Sequence, residues 1–373
     1  MSTILNFIKK EIVLVIAFLL AVISAVYIHP DLSYLSYIDF RTLSILLSLM
    51  LTMAGLQKLS LFRQIGSFLV DKAHSIRSVA LIFILLNFFF SMIITNDVAL
   101  ITFVPFTIVT LNLAKRSDLL IITIVLETIA ANLGSMLTPL GNPQNLYLYS
   151  RSGMSFFSFI KLMLPYSILS LLLLIVCCFM LIQTSPLDPC EAFHKKRSKK
   201  EKLLLILYFA TFIVALLVVL RILPYYVGLL LILLPVVLFD RSILKKPDYS
   251  LLLTFVFLFI FIGNIKRIPA VHQLLLQIIK GHEVGLSVLL SQFISNVPCA
   301  ILCSGFTDQT ASLIIGTNLG GLGTLIASMA SLISFKQYGF TAQAKRGKYI
   351  LVFTIANVLF LAVMLLAHTL LLS

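Results

Sequence analysis

The sequence predicts an all-α polytopic membrane protein with inverted structural repeats, two re-entrant helical hairpins and two discontinuous transmembrane helices. Three observations lead there. Of 373 residues, 60% are hydrophobic and only 11% are charged, against about a quarter charged in a soluble domain. Apolar runs of membrane-spanning length follow one another along the chain. Four of these runs are interrupted by Asn, Gly, Ser, Thr or Pro, in the same order in each half.

Composition excludes other classes. With 14 acidic residues and 29 Phe, polar surface is too scarce for a water-soluble protein. Five Cys, 16 Gly and 12 Pro exclude disulfide-framework and fibrous chains. The net charge of +14 arises from basic residues lying between apolar runs, so positive-inside bias accounts for it and nucleic acid is not an expected partner. Cys177, Cys178, Cys190, Cys299 and Cys303 form no CxxC pair. They imply no structural metal or cofactor, and Cys299 and Cys303 are read as small packing residues on one helix face.

The elements follow in order. Lys9 and Lys10 precede Glu11–Ile28, a retained first span without a convincing cleavage site. Phe40–Gln57 is the second span, and Lys58–Arg77 is amphipathic and expected at the interface. The run 79–113 is broken at Thr95–Asn96–Asp97. It reads either as two short spans with a buried turn or as a re-entrant hairpin. The polar tip favours the hairpin, because lipid tolerates irregular backbone only where protein or a cavity surrounds it. A span broken near its middle follows over 117–150, then the span Phe156–Gln183. The loop 184–202 carries six basic residues and is expected in the cytoplasm.

In the second half, Leu203–Leu220, Tyr225–Phe239 and Tyr249–Gly263 read as spans. An interfacial stretch with Lys266, Arg267, Lys280 and Glu283 leads to a second hairpin at about 284–306, broken at Ser295–Asn296–Val297–Pro298. A second broken span over 310–335 and the span Tyr349–Leu372 close the chain. With the N-terminus inside, this gives nine crossings and an external C-terminus, and basic residues favour the inside threefold. The expected location is the plasma membrane of a prokaryotic cell. Residues 1–183 and 221–373 then form two oppositely oriented repeats, with 203–220 as the linking span. From Asn96 to Asn132 is 36 residues but from Asn296 to Asn318 only 22, so the second hairpin needs a shorter return arm.

Interrupted segments in matching positions of inverted halves point to a transport site near the bilayer midplane. Broken helices expose N–H groups that attract anions and carbonyls that coordinate cations. Candidate substrate- or ion-binding residues are Thr95, Asn96, Asp97, Asn132, Gly134, Thr138, Pro139, Asn142 and Asn145 in the first half. In the second they are Ser295, Asn296, Thr317, Asn318, Gly320 and Thr324. No Lys or Arg lies in any interruption, so an anion would be held by dipoles and neutral donors. Asp97 and Glu127 are the acids deep in apolar sequence, where charge is costly and commonly functional. Asp97 reads as a coupling site for Na+ or H+. Glu127 is either a proton relay or a neutral acid bonded to a backbone carbonyl.

Three stretches carry a resemblance: Ile94–Leu100, Asn132–Asn145 with its Asn-Leu-Gly-Ser-Met-Leu-Thr-Pro-Leu-Gly-Asn-Pro-Gln-Asn run, and Ser291–Pro298. They resemble the ion transporter superfamily, which includes arsenite permeases, related sodium/proton antiporters, citrate transporters and divalent anion/sodium symporters. The resemblance implies a homodimer with a scaffold and a mobile transport domain that moves like an elevator. It also implies Ser–Asn–Thr motifs at the hairpin tips that bind sodium and substrate, hence a Na+ near Asn96, Asp97 and Asn296. Here the third-position Thr is missing from both motifs, and Asp97 looks closer to the arsenite-permease and antiporter side. Asn96, Asn132, Thr138, Pro139, Asn296 and Asn318 carry over as the cavity-forming set.

The expected function is secondary active transport of a small inorganic or carboxylate anion, coupled to an ion gradient or the membrane potential. Alternatives are cation/proton antiport through Asp97, or an anion channel or non-transporting membrane protein. No nucleophile–base pair or metal-ligand cluster suggests an enzyme.

Overall fold

The computed structural model describes residues 11–186, 198–342 and 344–372. The central basic residues Lys195, Lys196 and Arg197, and also Cys190, Lys9 and Lys10, lie outside them. Described secondary structure is helical throughout: α1 (Ile12–Tyr27), α2 (Ser33–Tyr37), α3 (Phe40–Lys58), α4 (Leu61–Val70), α5 (Ile76–Ile94), α6 (Asn96–Leu113), α7 (Leu120–Ser135), α8 (Pro143–Ser152) and α9 (Phe156–Leu181). The second half contains α10 (Lys199–Val219), α11 (Tyr225–Phe239), α12 (Tyr249–Lys266), α13 (Pro269–Ile279), α14 (Glu283–Ile294), α15 (Asn296–Ser304), α16 (Thr310–Leu319), α17 (Met329–Gly339) and α18 (Arg346–Leu372).

Helix starts follow local chemistry. Asp39, Ser75, Asn142, Ser155 and Asp248 each accept a hydrogen bond from the backbone N–H three residues on, which satisfies one free donor of the first turn. At α10, Ser198 and Glu201 form a reciprocal capping box. That box starts the helix at Lys199, four residues before the apolar run begins.

Eight described helices are long and apolar enough to cross a membrane. The chain is therefore an integral membrane protein. The 19-residue α5 and 18-residue α6 are both among them, so each arm of the first interrupted run has the length of a span. The second run has arms of 12 and 9 residues in α14 and α15, the shorter return arm that the spacing demands. The preceding α13 and α14 are bent by 109° at their junction. At 16 and 15 residues, α1 and α11 are apolar but shorter.

Burial places α7 at the centre, where the 3-10 turn Ser117–Leu119 leading into it extends it to a 19-residue span, Ser117–Ser135. Its spanning window is 83% buried, against 33% for α9 and α10 and 22% for α18, whose exposed Leu, Ile and Val side chains suit contact with lipid. Both ends of the α5–α6 pair return to one end of the molecule. The Ile76 N–H donates to the Ser185 carbonyl at 3.0 Å, and Arg116 Nη1 donates to Ser185 Oγ at 2.8 Å. The α14–α15 pair closes likewise, Thr307 Oγ1 donating to Glu283 Oε1 at 2.9 Å.

The halves are also joined at their periphery. Asp240 accepts from Lys58 Nζ at 2.8 Å, from Tyr208 at 3.0 Å and from Ser242 at 2.7 Å. Burial works to raise the Asp240 carboxyl, but Lys58, Ser242 and Tyr208 hold it below the usual carboxylate range. A depressed folded value stabilises fully above the unfolded value of about 3.9 and is lost as pH falls through the folded one. Acid thermal-unfolding scans should therefore show a steeper loss below about pH 4 in wild type than in Asp240→Asn, which keeps size and acceptor but does not titrate.

Candidate functional site

The two tight turns that join α5 to α6 and α14 to α15, here called tips, share an unusual backbone. Thr95 has φ 76° and ψ 151°, and Ser295 has φ 71° and ψ 153°. That region is essentially glycine-only and costs about 1–3 kcal/mol for any other residue. Two non-glycine residues hold it because the next backbone N–H is captured in each case. Asn96 N–H donates to the Gly141 carbonyl at 3.0 Å, and Asn296 N–H donates to the Ala327 carbonyl at 3.0 Å. Each tip thus docks on the break between two helices, α7 and α8 for the first, α16 and α17 for the second.

A threonine clamps each tip. Thr138 Oγ1 donates to the Met92 carbonyl, and Thr324 Oγ1 donates to the Gln292 carbonyl at 3.0 Å. Gln292 tightens the second clamp by accepting from Thr324 N–H at 2.9 Å and donating to the Gly320 carbonyl at 3.1 Å and the Leu322 carbonyl at 3.0 Å. The two threonine hydroxyls, expected as donors to a solute, are therefore committed to the scaffold.

The breaks are stitched to each other. Asn132, near the end of α7, accepts from Ser328 Oγ at 3.0 Å and donates to Ser331 Oγ at 3.3 Å. Asn318, near the end of α16, accepts from Asn142 Nδ2 at 3.2 Å and donates to Asn145 Oδ1 at 2.6 Å. Asn132 and Asn318, Asn142 and Ser328, and Asn145 and Ser331 are each 186 residues apart. One helix end is thus bonded to the other helix's restart, reciprocally. Asn96 Nδ2 joins the stitch at Asn132 Oδ1, 3.1 Å away. Ser328 and Ser331 were absent from the sequence expectation, although aligning Asn132 on Asn318 brings them opposite Asn142 and Asn145.

Other expected residues have different duties. A Cβ on Gly134 would lie 2.1 Å from the Phe88 carbonyl oxygen, and one on Gly320 would lie 2.6 Å from Ser291 Oγ. These glycines let α5 and α14 approach the interrupted helices closely, and no vacant backbone group is needed to explain them. Thr317 Oγ1 donates to the Leu313 carbonyl of its own helix at 2.7 Å. Pro139 is buried in the turn after α7. Cys299 and Cys303 are buried with their sulfurs 3.9 Å apart, in keeping with packing residues on one face.

Two carboxylates stand apart. Asp97 is half-buried in the first turn of α6, and its side chain makes no hydrogen bond or ion pair among the described residues. Glu127 is fully buried on α7 and accepts from Asn87 Nδ2 at 2.9 Å through Oε2, while Oε1 has no partner. Among the described residues no carbonyl receives Glu127, the alternative expected for a neutral acid, and Asn87, forty residues earlier, is its partner. A cavity of about 340 Å3 lies elsewhere, lined by Gln57, Ser60, Arg63, Ile101 and Pro105 among others, and none of the stitched residues borders it.

Residues 3–312 match the family model described as "Citrate transporter", and the chain belongs to that family within the broader ion transporter superfamily. It is 32% identical over 310 residues to inner membrane protein YbiR of Escherichia coli, covering 82% of this chain and 81% of the relative. To an uncharacterized transporter of Methanocaldococcus jannaschii it is 33% identical over 296 residues, 77% of each chain. A shorter match, 32% over 139 residues, covers 37% of this chain and 28% of the silicon efflux transporter LSI3 of rice, Oryza sativa. The protein is a membrane transporter.

Asn132→Ala and Asn318→Ala each strip buried partners of their bonds, and each should destabilise by about 1–3 kcal/mol. Thermal unfolding of the purified proteins should show two losses of similar size, as the reciprocal bonding requires.

Proposed function

We propose that this member of the citrate transporter family is a secondary active transporter of a small inorganic or carboxylate anion, working by elevator-type alternating access. The observation that carries the reading is the reciprocal stitch between the α7–α8 and α16–α17 breaks, with a strained tip docked on each. In this reading, residues 1–183 and 221–373 are inverted repeats, and the tips enter the bilayer from opposite faces as re-entrant hairpins. Supporting this, the base of α5–α6 is tied to Ser185, whereas Ser304 at the end of α15 meets Tyr147 on α8 at 2.7 Å. Arg77 and Arg116 share the end where the basic loop begins, Arg77 Nε donating to the Ile182 carbonyl at 2.7 Å. Taking that end as the cytoplasmic one, on the positive-inside bias, gives an N-terminus inside and a C-terminus outside.

The helix starts of α6, α8, α15 and α17 all lie at tips or breaks, so their positive dipole ends favour an anion without any Lys or Arg. A small inorganic solute is in keeping with the rice relative, which by name exports silicon. Asp97, with Asn96 and Asn296 nearby in the motif order, supplies the site for a coupling Na+ or H+. Glu127 is then a relay, its free Oε1 being able to take a proton. The membrane potential adds about 2.3 kcal/mol per elementary charge per 100 mV. As in the symporter branch of the superfamily, the working unit is a homodimer.

A second reading rests on Asp97 alone. A partly buried carboxylate without a protein partner suits cation/proton antiport without an anion. Proteoliposomes loaded with arsenite, sulfate, phosphate, citrate or C4-dicarboxylates, with and without a Na+ or pH gradient, separate the two. Gradient-driven uptake of at least one anion is expected, and Na+/H+ exchange with no anion flux would favour the second reading instead. Asp97→Asn should reduce gradient-driven accumulation by about tenfold or more, equivalent to ~1.4 kcal/mol of coupling, while leaving anion exchange measurable. Full accumulation in that variant would remove Asp97 from coupling.

A further inference from the structure

Most polar groups at the crossing are consumed by the stitch, but Gln144 is not. It is the second residue of α8, between Asn142 and Asn145, both of which bond Asn318. Its side chain is only 1% exposed, and neither Nε2 nor Oε1 has a hydrogen-bond partner. Its backbone N–H lies in the first turn of α8, where no intrahelical acceptor reaches it. A buried amide with both ends unmet is destabilising, and such a group in a native fold needs an explanation. The residue 186 positions later is Ala330, so the second half offers no counterpart.

We infer that Gln144 reads the transported solute, and that the solute presents a donor and an acceptor side by side. The inference rests on the reading that an anion binds at the crossing. A primary amide offers N–H and C=O together. An oxyanion made only of acceptors, such as sulfate, meets Nε2 but leaves Oε1 facing another lone pair. An oxyanion that keeps an O–H at neutral pH meets both. Its charged oxygen takes the Gln144 Nε2 and backbone N–H at the positive end of α8, and its O–H donates to Oε1. The substrate class is therefore an oxyanion carrying a hydroxyl, such as hydrogenphosphate, hydrogencarbonate or a hydroxycarboxylate. A site built to bond a substrate hydroxyl discriminates strongly against the analogue lacking it.

The test uses the full-length protein in lipid nanodiscs, with thermal unfolding measured against matched pairs: phosphate against sulfate, and malate against succinate. Proteoliposome flux of the same solutes runs beside it. Wild type should bind at least one hydroxyl-bearing member roughly tenfold or more tighter than its partner. Gln144→Met, similar in shape, should lose that discrimination and should raise the unfolding temperature of the solute-free protein, since it removes an unmet amide. Gln144→Ala serves as the second variant for discrimination, as it removes the amide altogether and leaves a cavity in its place. Unchanged discrimination in both variants, or a lower solute-free unfolding temperature in Gln144→Met, overturns the assignment while leaving anion transport standing. Equal binding of both members of every pair by wild type also overturns it. Absence of all anion binding and flux in wild type defeats the transport reading itself, and the unfolding temperature of Gln144→Met then still reports whether the amide is unmet.

Discussion

A helix that stops inside a membrane leaves backbone donors and acceptors that no lipid can satisfy, and this constraint governs the rest of the molecule. Here each break receives the turn between two helices, and each turn surrenders one N–H to the break, Asn96 to Gly141 and Asn296 to Ala327. The carbonyls of Ser135, Met136 and Thr138 accept from Asn145 Nδ2, 3.2–3.4 Å away. Asn142 caps the restart of α8 by accepting from Asn145 N–H at 3.0 Å. The interruptions are therefore not loose joints. They are among the most densely hydrogen-bonded parts of the chain, and α7, which carries the first of them, is the most buried span.

The arrangement is twofold in its framework and onefold in its chemistry. Tips, clamps and stitches recur at fixed offsets, but Asp97 corresponds to Val297 and Gln144 to Ala330. Asp97 and Gln144, whose side chains have no protein partner among the described residues, thus both lie in the first half. A symmetric frame gives two helix breaks with favourable dipoles, and in the proposed function the asymmetric residues are the ones that select the solute. Among the described residues no group of three His, Cys, Asp or Glu is gathered to hold a metal ion.

Much of this was legible in the sequence because hydropathy reports spans directly and polar residues inside them are conspicuous. Tyr225–Phe239 agrees at both ends, and all four interruptions fall where Asn, Gly and Pro mark them. What stayed hidden has physical reasons. A glycine reads alike whether it admits a ligand or a neighbouring helix, so Gly134 and Gly320 could not be sorted until Phe88 and Ser291 were seen beside them. A threonine hydroxyl can serve solute, neighbour or its own helix, and Thr138, Thr324 and Thr317 all bond protein. Serine in an apolar helix is unremarkable, which concealed Ser328 and Ser331. Gln144 sat within the motif but gave no sign that its neighbours would be occupied and it would not.

The stitch also bears on how the protein is made. Asn132, Asn142 and Asn145 leave the ribosome nearly two hundred residues before Ser328, Ser331 and Asn318, which complete them. Until then the first half must keep three amides in the bilayer with their final partners unsynthesised. A chain cut short before the last interrupted helix cannot close that gap, and it exposes to the cell's quality-control machinery the polar interior that the finished transporter conceals.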